Sequence, residues 1–326
     1  MEYTRLGNSG LEVSKICLGC MSFGEHGNSW KLNYEDSRDI IHYAIQQGIN
    51  FFDTANVYTQ GKSEEYTGRA LKEAFDSGLI SRDEVVVTTK VAMKMGKGPN
   101  MGGLSRKHIL QELDHSLQRL GMDYVDLYVV HHINADDNLE ELMETLNDCV
   151  RSGKVRYIGV SQVTAWQFQK CQYIAKEHGW AQFKAYQTGY SLLNRDAEFE
   201  HVPICKDWGI GFTPNSPYAS GRLVRTGDTY RANYDGDRHV NPRVEAYDVK
   251  VIDAVAELAE KKGVTKAAIV LAWDFSKDFM TSPIIGATKI KYIDDALTAL
   301  DVHLTREEIE ELEKYCTPHR ELNGML

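Results

Sequence analysis

Four residues of this 326-residue chain stand at or just beyond the ends of apolar runs, and their types together suit proton transfer. Asp53 ends INFFD, Lys90 ends VVVTTK and His131 ends DLYVVH, while Tyr58 follows Asp53 by five residues in NVYTQ. A tyrosine hydroxyl, with an ordinary pKa of about 10, is a poor acid at neutral pH unless a nearby cation favours its ionised form. Lys90 is the cation at hand. At ~4 Å and an effective dielectric of about 20 the attraction is about 4 kcal/mol before desolvation, enough to lower that pKa by whole units. Asp53 has a task as well, because a buried lysine without a counter-ion tends to lose its proton. His131 can orient a carbonyl oxygen or pass a proton. Taken singly, an Asp, Lys or His at a strand end is more often a loop cap or a solvated charge, and a lone Tyr58 reads equally as a packed aromatic. Their conjunction on three adjacent runs points to chemistry.

Such residues meet only if parallel strands bring their C-terminal ends together. Eight β-rich runs (ICLGCM, INFFDT, VVVTTK, VDLYVVHH, VRYIGVS, FKAYQTGY, IGFTPNS and SPIIGAT) alternate with amphipathic segments, the pattern of βαβ units around a parallel sheet. Ser105 caps a helix with apolar residues at Ile109, Leu110, Leu113, Leu117 and Leu120, closed by Gly121. Thr164 with Gln167, and Thr305 with Glu308, are capping-box spacings that mark two further helix starts. Eight units consume the whole chain, with no linker and no remainder for a second domain. The expected fold is therefore α/β, a (β/α)8 TIM barrel spanning residues 1–326 as one domain, rather than an open doubly wound sheet. A hairpin in YTRLGNSGLEVSKI would plug its bottom, and long loops after the third and seventh strands would lie on top.

Composition narrows the function classes. With 42% hydrophobic and 26% charged residues and only 7 Pro, the chain is globular, and no run of 18 apolar residues or signal-peptide pattern occurs, so a cytoplasmic protein is expected. Six scattered cysteines in a chain this long read as reduced thiols. A net charge of −10 repels nucleic acid and anionic lipid, so an anionic ligand must be met by a local cluster of cations. Metal sites lack support: Cys17 and Cys20 lie three apart on a strand and so face opposite sides, as do His131 and His132. The loop GKGPNMGG lacks the terminal G-K-[ST] of a phosphate loop and reads as a rim over a substrate.

The stretch GINFFDTANVYTQGKSEEYTGRAL, followed by VVVTTKV, GMDYVDLYVVHH and VRYIGVS, strongly resembles the aldo-keto reductases, of the short-loop, bacterial type. The resemblance runs from LGNSGLEVSKICLGCMSFG to SPIIGATKI, and order and spacing match as well as residue types. It implies a TIM barrel that reduces the carbonyl of aldehydes or ketones with NADP(H) and without metal, and makes Asp53, Tyr58, Lys90 and His131 a catalytic tetrad with Tyr58 as general acid. It places the cofactor against Gly19, Cys20, Met21 and Asp53, with the nicotinamide carboxamide held by Ser161, Gln162 and Gln187. The pyrophosphate falls to the backbone of Pro217, Tyr218, Ala219, Ser220 and Gly221, with Arg222 nearby, and the adenosine phosphate to Thr288 and Lys289 after Gly286. A cation at Lys289 favours NADPH over NADH. Three departures stand out: Gln162 where Asn is commoner, Asn215-Ser216-Pro217 where the family reads Tyr-Ser-Pro and stacks the ring under the nicotinamide, and Asp295-Ala296 where Glu then Asn is usual for the adenine. RTGDTYRANYDGDRHVNPR would clasp the cofactor; Met21, Trp30, Tyr58 and His131 would line the substrate pocket, with the tail PHRELNGML as a lid. Two other readings are a barrel lyase with Lys90 as Schiff-base nucleophile and a non-catalytic NADP-binding regulator.

Overall fold

Side-chain alternation along short parallel strands sorts this molecule into an interior, a surrounding shell and a polar mouth. The computed structural model describes residues 1–25, 30–225, 246–316 and 318. Two antiparallel strands, β1 (Tyr3–Arg5) and β2 (Glu12–Ser14), come first. Eight parallel strands follow: β3 (Cys17–Gly19), β4 (Phe51–Asp53), β5 (Val86–Val91), β6 (Val125–Val130), β7 (Val155–Ser161), β8 (Phe183–Gln187), β9 (Gly211–Phe212) and β10 (Ile284–Gly286). β3 to β9 pair in chain order, and β10 pairs with β3. A parallel bridge between Asn215 and Ile284, with the Ile284 N–H donating to the Pro214 carbonyl at 2.8 Å, closes the ring. The fold is the (β/α)8 barrel expected. β9 is shorter than the run IGFTPNS because Pro214 has no N–H to offer a ladder and Ser216 turns left-handed, at φ 59°.

Leu6 and Val13, which flank β1 and lie on β2, reach into the ring and pack with Cys17, Phe51, Val86, Leu127, Val129, Ala185 and Ile284. The hairpin therefore plugs the lower end. Residues one step out of phase with these, among them Leu18, Phe52, Val87, Tyr128 and Val130, face a second core under the helices. Cys17 and Cys20 sit in these two different cores, as their spacing predicts, and all six cysteines are buried free thiols.

The shell comprises α1 (Tyr34–Gln46), α2 (Lys62–Asp76), α3 (Arg106–Leu120), α4 (Leu139–Arg151), α5 (Ala165–His178), α6 (His201–Trp208), α7 (Ala246–Lys262), α8 (Lys266–Phe275), α9 (Ile290–Thr298) and α10 (Arg306–Glu313). Ser105 caps α3 by accepting from the His108 N–H at 3.3 Å, and Gly121 ends it at φ 64°, as the sequence signals require. Ile109, Leu113, Leu117 and Leu120 of α3 are buried, each such side chain contributing about 1.5–3 kcal/mol. Both capping boxes form, at α5 and α10. Among the described residues no helix is long and apolar enough to cross a membrane.

Candidate active site

The same alternation that packs the lower interior delivers the polar residues above it. Phe51 is followed two residues on by Asp53, Thr88 by Lys90, Val129 by His131, Gly159 by Ser161 and Ala185 by Gln187. Each second member points inward at the C-terminal mouth of the barrel. Lys90 and Asp53, only 2% and 3% exposed, form a buried ion pair. The Lys90 ammonium also donates to the Thr54 carbonyl at 2.9 Å and to the Tyr58 hydroxyl at 3.4 Å. The second carboxylate oxygen of Asp53 accepts from the Gln187 amide at 2.9 Å.

Electrostatics follow from this geometry. Burial pulls the Lys90 pKa down, but the charge of Asp53 and the nearby Tyr58 oxygen outweigh it, and the amine is held above the ordinary lysine value. Burial pushes the Tyr58 hydroxyl up by more than Lys90 pulls it down, so its pKa is raised rather than lowered. This corrects the expectation from the sequence: Asp53 shares the field of Lys90, and desolvating a phenolate costs more than the remaining attraction returns. His131 meets Tyr58 edge-on, ring centroids 5.8 Å apart and planes at 83°. Burial first, then the charge of Lys90, lower its pKa to about 3, so the imidazole is neutral at physiological pH, and its buried Nδ1 has no hydrogen-bond partner.

Around this centre the expected cofactor residues divide. Ser161 and Gln187 are buried beside each other in register at the mouth. Gln162 is exposed and left-handed, at φ 52°, a conformation Asn tolerates better. Cys20 turns its thiol into the outer core, and its N–H and carbonyl are engaged by the Asp53 carbonyl and the Ser63 hydroxyl, so it offers only shape. Gly19 is required by the approach of β10: a Cβ there would lie 2.9 Å from Ile284 Cγ2. Met21 is exposed, and its carbonyl accepts from Lys31, whose ammonium lies 4.2 Å from the centroid of the Trp30 ring.

Asn215 is half-buried and held by backbone bridges to Gly189 and Ile284. Pro217 is buried behind it. Tyr218, the next aromatic, does not replace the missing stacking ring, since it packs against the outer core with its hydroxyl buried. Ser216, Ala219, Ser220 and Gly221 all have positive φ, and the Ala219 and Gly221 N–H groups donate to the Ser216 and Tyr218 carbonyls at 2.8 and 2.9 Å, which folds the segment into successive tight turns. The Arg222 guanidinium is paired with Asp248 at 2.9 Å, so part of its field is already neutralised. Lys289 is exposed at the N-terminus of α9, where no side chain caps the helix; Thr288 is half-buried, and Gly286 faces open space. Asp295 is engaged by Lys291 at 2.8 Å. Residues 226–243 of the proposed clasp and 319–326 of the proposed lid lie outside the described residues.

A sequence model of the Aldo/keto reductase family matches residues 15–316. The chain belongs to that family. This aldo/keto reductase is 41% identical to versiconal hemiacetal acetate reductase of Aspergillus parasiticus over 98% of both chains. It is 36% identical to a putative aryl-alcohol dehydrogenase of Schizosaccharomyces pombe, over 96% of this chain and 95% of that one. An uncharacterized oxidoreductase of Bacillus subtilis is also 36% identical, over 94% and 93%. The protein is thus an oxidoreductase of a family that acts on small carbonyl compounds and generally uses NAD(P)H. The open Gly286, the exposed Lys289 and the N-terminus of α9 without a side-chain cap fit an anionic dinucleotide of that class.

Sequence reasoning missed Asn56, Glu64, Thr89, Glu112 and Arg119, a buried polar set behind the site. A signal existed: Glu112 lies between Ile109 and Leu113 on the apolar face of α3, and a charge there asks for a partner.

Proposed function

We propose that this protein is a cytoplasmic NADPH-dependent reductase of aldehydes or ketones, the whole chain acting as one barrel, with Tyr58 as the proton donor. The observation that carries this reading is the Lys90 ammonium, buried between the Asp53 carboxylate and the Tyr58 hydroxyl at 3.4 Å. When bound, the nicotinamide supplies the hydride that adds to the carbonyl carbon. Tyr58, kept protonated by burial, gives its proton to the carbonyl oxygen, and Lys90 stabilises the tyrosinate left behind. Asp53 keeps Lys90 charged throughout, and Gln187 holds Asp53. Neutral His131 is suited to donate a hydrogen bond to the same oxygen without competing as a charged acid. Ser161, Gln162 and Gln187 would hold the carboxamide, the 216–221 turns the pyrophosphate, and Lys289 a 2′-phosphate.

The Schiff-base alternative requires a neutral lysine, and the pairing of Lys90 with Asp53 weighs against it. The test is consumption of NADPH with a panel of aldehydes and ketones. Turnover is expected, and Lys289→Glu should shift preference toward NADH. A borohydride-trapped adduct on Lys90 without NADPH consumption would overturn the reading.

A further inference from the structure

The buried face of α3 carries a column of polar groups that the chemistry above leaves without a task. Glu112, 3% exposed, accepts from the Asn56 side-chain amide at 2.9 Å and pairs with His115 at 3.0 Å and Arg119 at 3.5 Å. Arg119 in turn bonds the fully buried Glu64 at 2.5 Å, whose other oxygen accepts from the Thr89 hydroxyl. Ion pairs buried like this are costly to assemble, and well-packed apolar side chains would join helix to sheet as firmly. What the polar column adds is direction.

Its contacts converge on the segment that carries Tyr58. Asn56 lies two residues before Tyr58, and its backbone N–H donates to the Lys90 carbonyl at 3.3 Å. Thr89 precedes Lys90 and points to the opposite face of β5. Directly after Tyr58, Thr59 and Gln60 both take left-handed conformations, at φ 50° and 54°, which side chains of these types adopt only when held. The turn ends at Gly61, φ 91°, seated on the stem of Arg119: a Cβ there would fall 2.7 Å from Arg119 Cδ. On its other side the Thr59 hydroxyl donates to the Phe23 carbonyl at 3.1 Å.

We propose that Asn56, Glu112 and Arg119 are positioning residues, which clamp the strained turn 57–61 from behind the sheet and so hold the Tyr58 hydroxyl against Lys90. This rests on Tyr58 being the proton donor. A donor displaced by about 1 Å can cost on the order of 100-fold in rate, so a clamp remote from the substrate acts on turnover rather than on binding.

The test uses the full chain carrying Asn56→Ala, Glu112→Leu or Glu112→Gln, with steady-state kinetics on NADPH and the best carbonyl substrate, and hydrogen exchange of the peptide spanning 57–61. Asn56→Ala and Glu112→Leu are expected to lower kcat by about 10- to 100-fold while KM for NADPH stays within about threefold. Exchange should quicken at 57–61 and stay slow in β6. Glu112→Gln still presents an oxygen to Asn56 and should recover most of what Glu112→Leu loses. Where Glu112→Leu fails to fold, Asn56→Ala decides alone. Unchanged kcat in Asn56→Ala, with Tyr58→Phe inactive, would overturn the clamp and leave the proton donor standing. A KM rise at constant kcat would overturn it equally. Wild-type turnover by Tyr58→Phe would remove the proton donor itself.

Discussion

The lower and upper halves of the barrel interior are built by the same strands with the same two-residue period, yet they do opposite things. Below, Leu6, Val13, Cys17, Phe51, Val86 and Leu127 fill the ring with apolar volume around the hairpin plug. Higher on the same strands stand Asp53, Lys90, His131, Ser161 and Gln187, a polar set built around the buried Lys90–Asp53 ion pair. The lower layer makes the ring rigid, and the upper layer uses that rigidity to keep an ammonium, a carboxylate and a phenol within hydrogen-bonding reach. The two layers should therefore fail differently when altered.

Lys90→Met is expected to have the largest effect. It removes the partner of Tyr58 and leaves Asp53 buried without a counter-charge, so turnover should fall by at least about 1000-fold and stability by about 3–5 kcal/mol. Denaturant melts and NADPH oxidation measure the two losses separately. Adding Asp53→Leu to that variant should restore much of the stability and none of the turnover. In the lower layer Phe51→Ala should also cost about 3–5 kcal/mol, through the cavity it leaves. The fraction that remains folded should keep a kcat near wild type, because Phe51 touches no reacting group. A large kcat loss at full folding would blur the division between the layers.

His131 offers a pH test of the upper layer. Its folded pKa lies at about 3 and its unfolded value near 6.5, so the unfolded chain binds the extra proton between those limits. The contribution of His131 is fully present above about pH 6.5 and is lost as pH falls toward about 3, with a slope of up to about 1.4 kcal/mol per pH unit. A melting-temperature profile of wild type against His131→Asn should diverge in that window and run parallel above it. Gln162→Asn should have the smallest effect. At φ 52° an Asn relieves part of the left-handed cost, and a gain of about 0.5 kcal/mol in stability is expected from denaturant melts.

Much of the upper layer was legible because a strand end is easy to find. An apolar run that stops at Asp53 or Lys90 marks both the end and, through the period of two, the side on which the group lies. The hairpin plug, the eight strands and the caps at Ser105, Thr164 and Thr305 were legible for similar local reasons. What could not be read depended on partners distant in sequence. The direction of the Tyr58 shift turned on burial outweighing the pull of Lys90, and the pairing of Arg222 with Asp248 joins segments that no motif connects. The family resemblance assigns Gln187 to the cofactor, and in the folded chain its amide steadies Asp53.

The most direct measurement is single-turnover NADPH oxidation by Tyr58→Phe, with cofactor affinity followed in parallel by fluorescence. If Tyr58 is the acid, NADPH should bind within about threefold of wild type while the chemical step slows by at least about 1000-fold. A variant that oxidises NADPH at the wild-type rate with the same carbonyl substrate would contradict it.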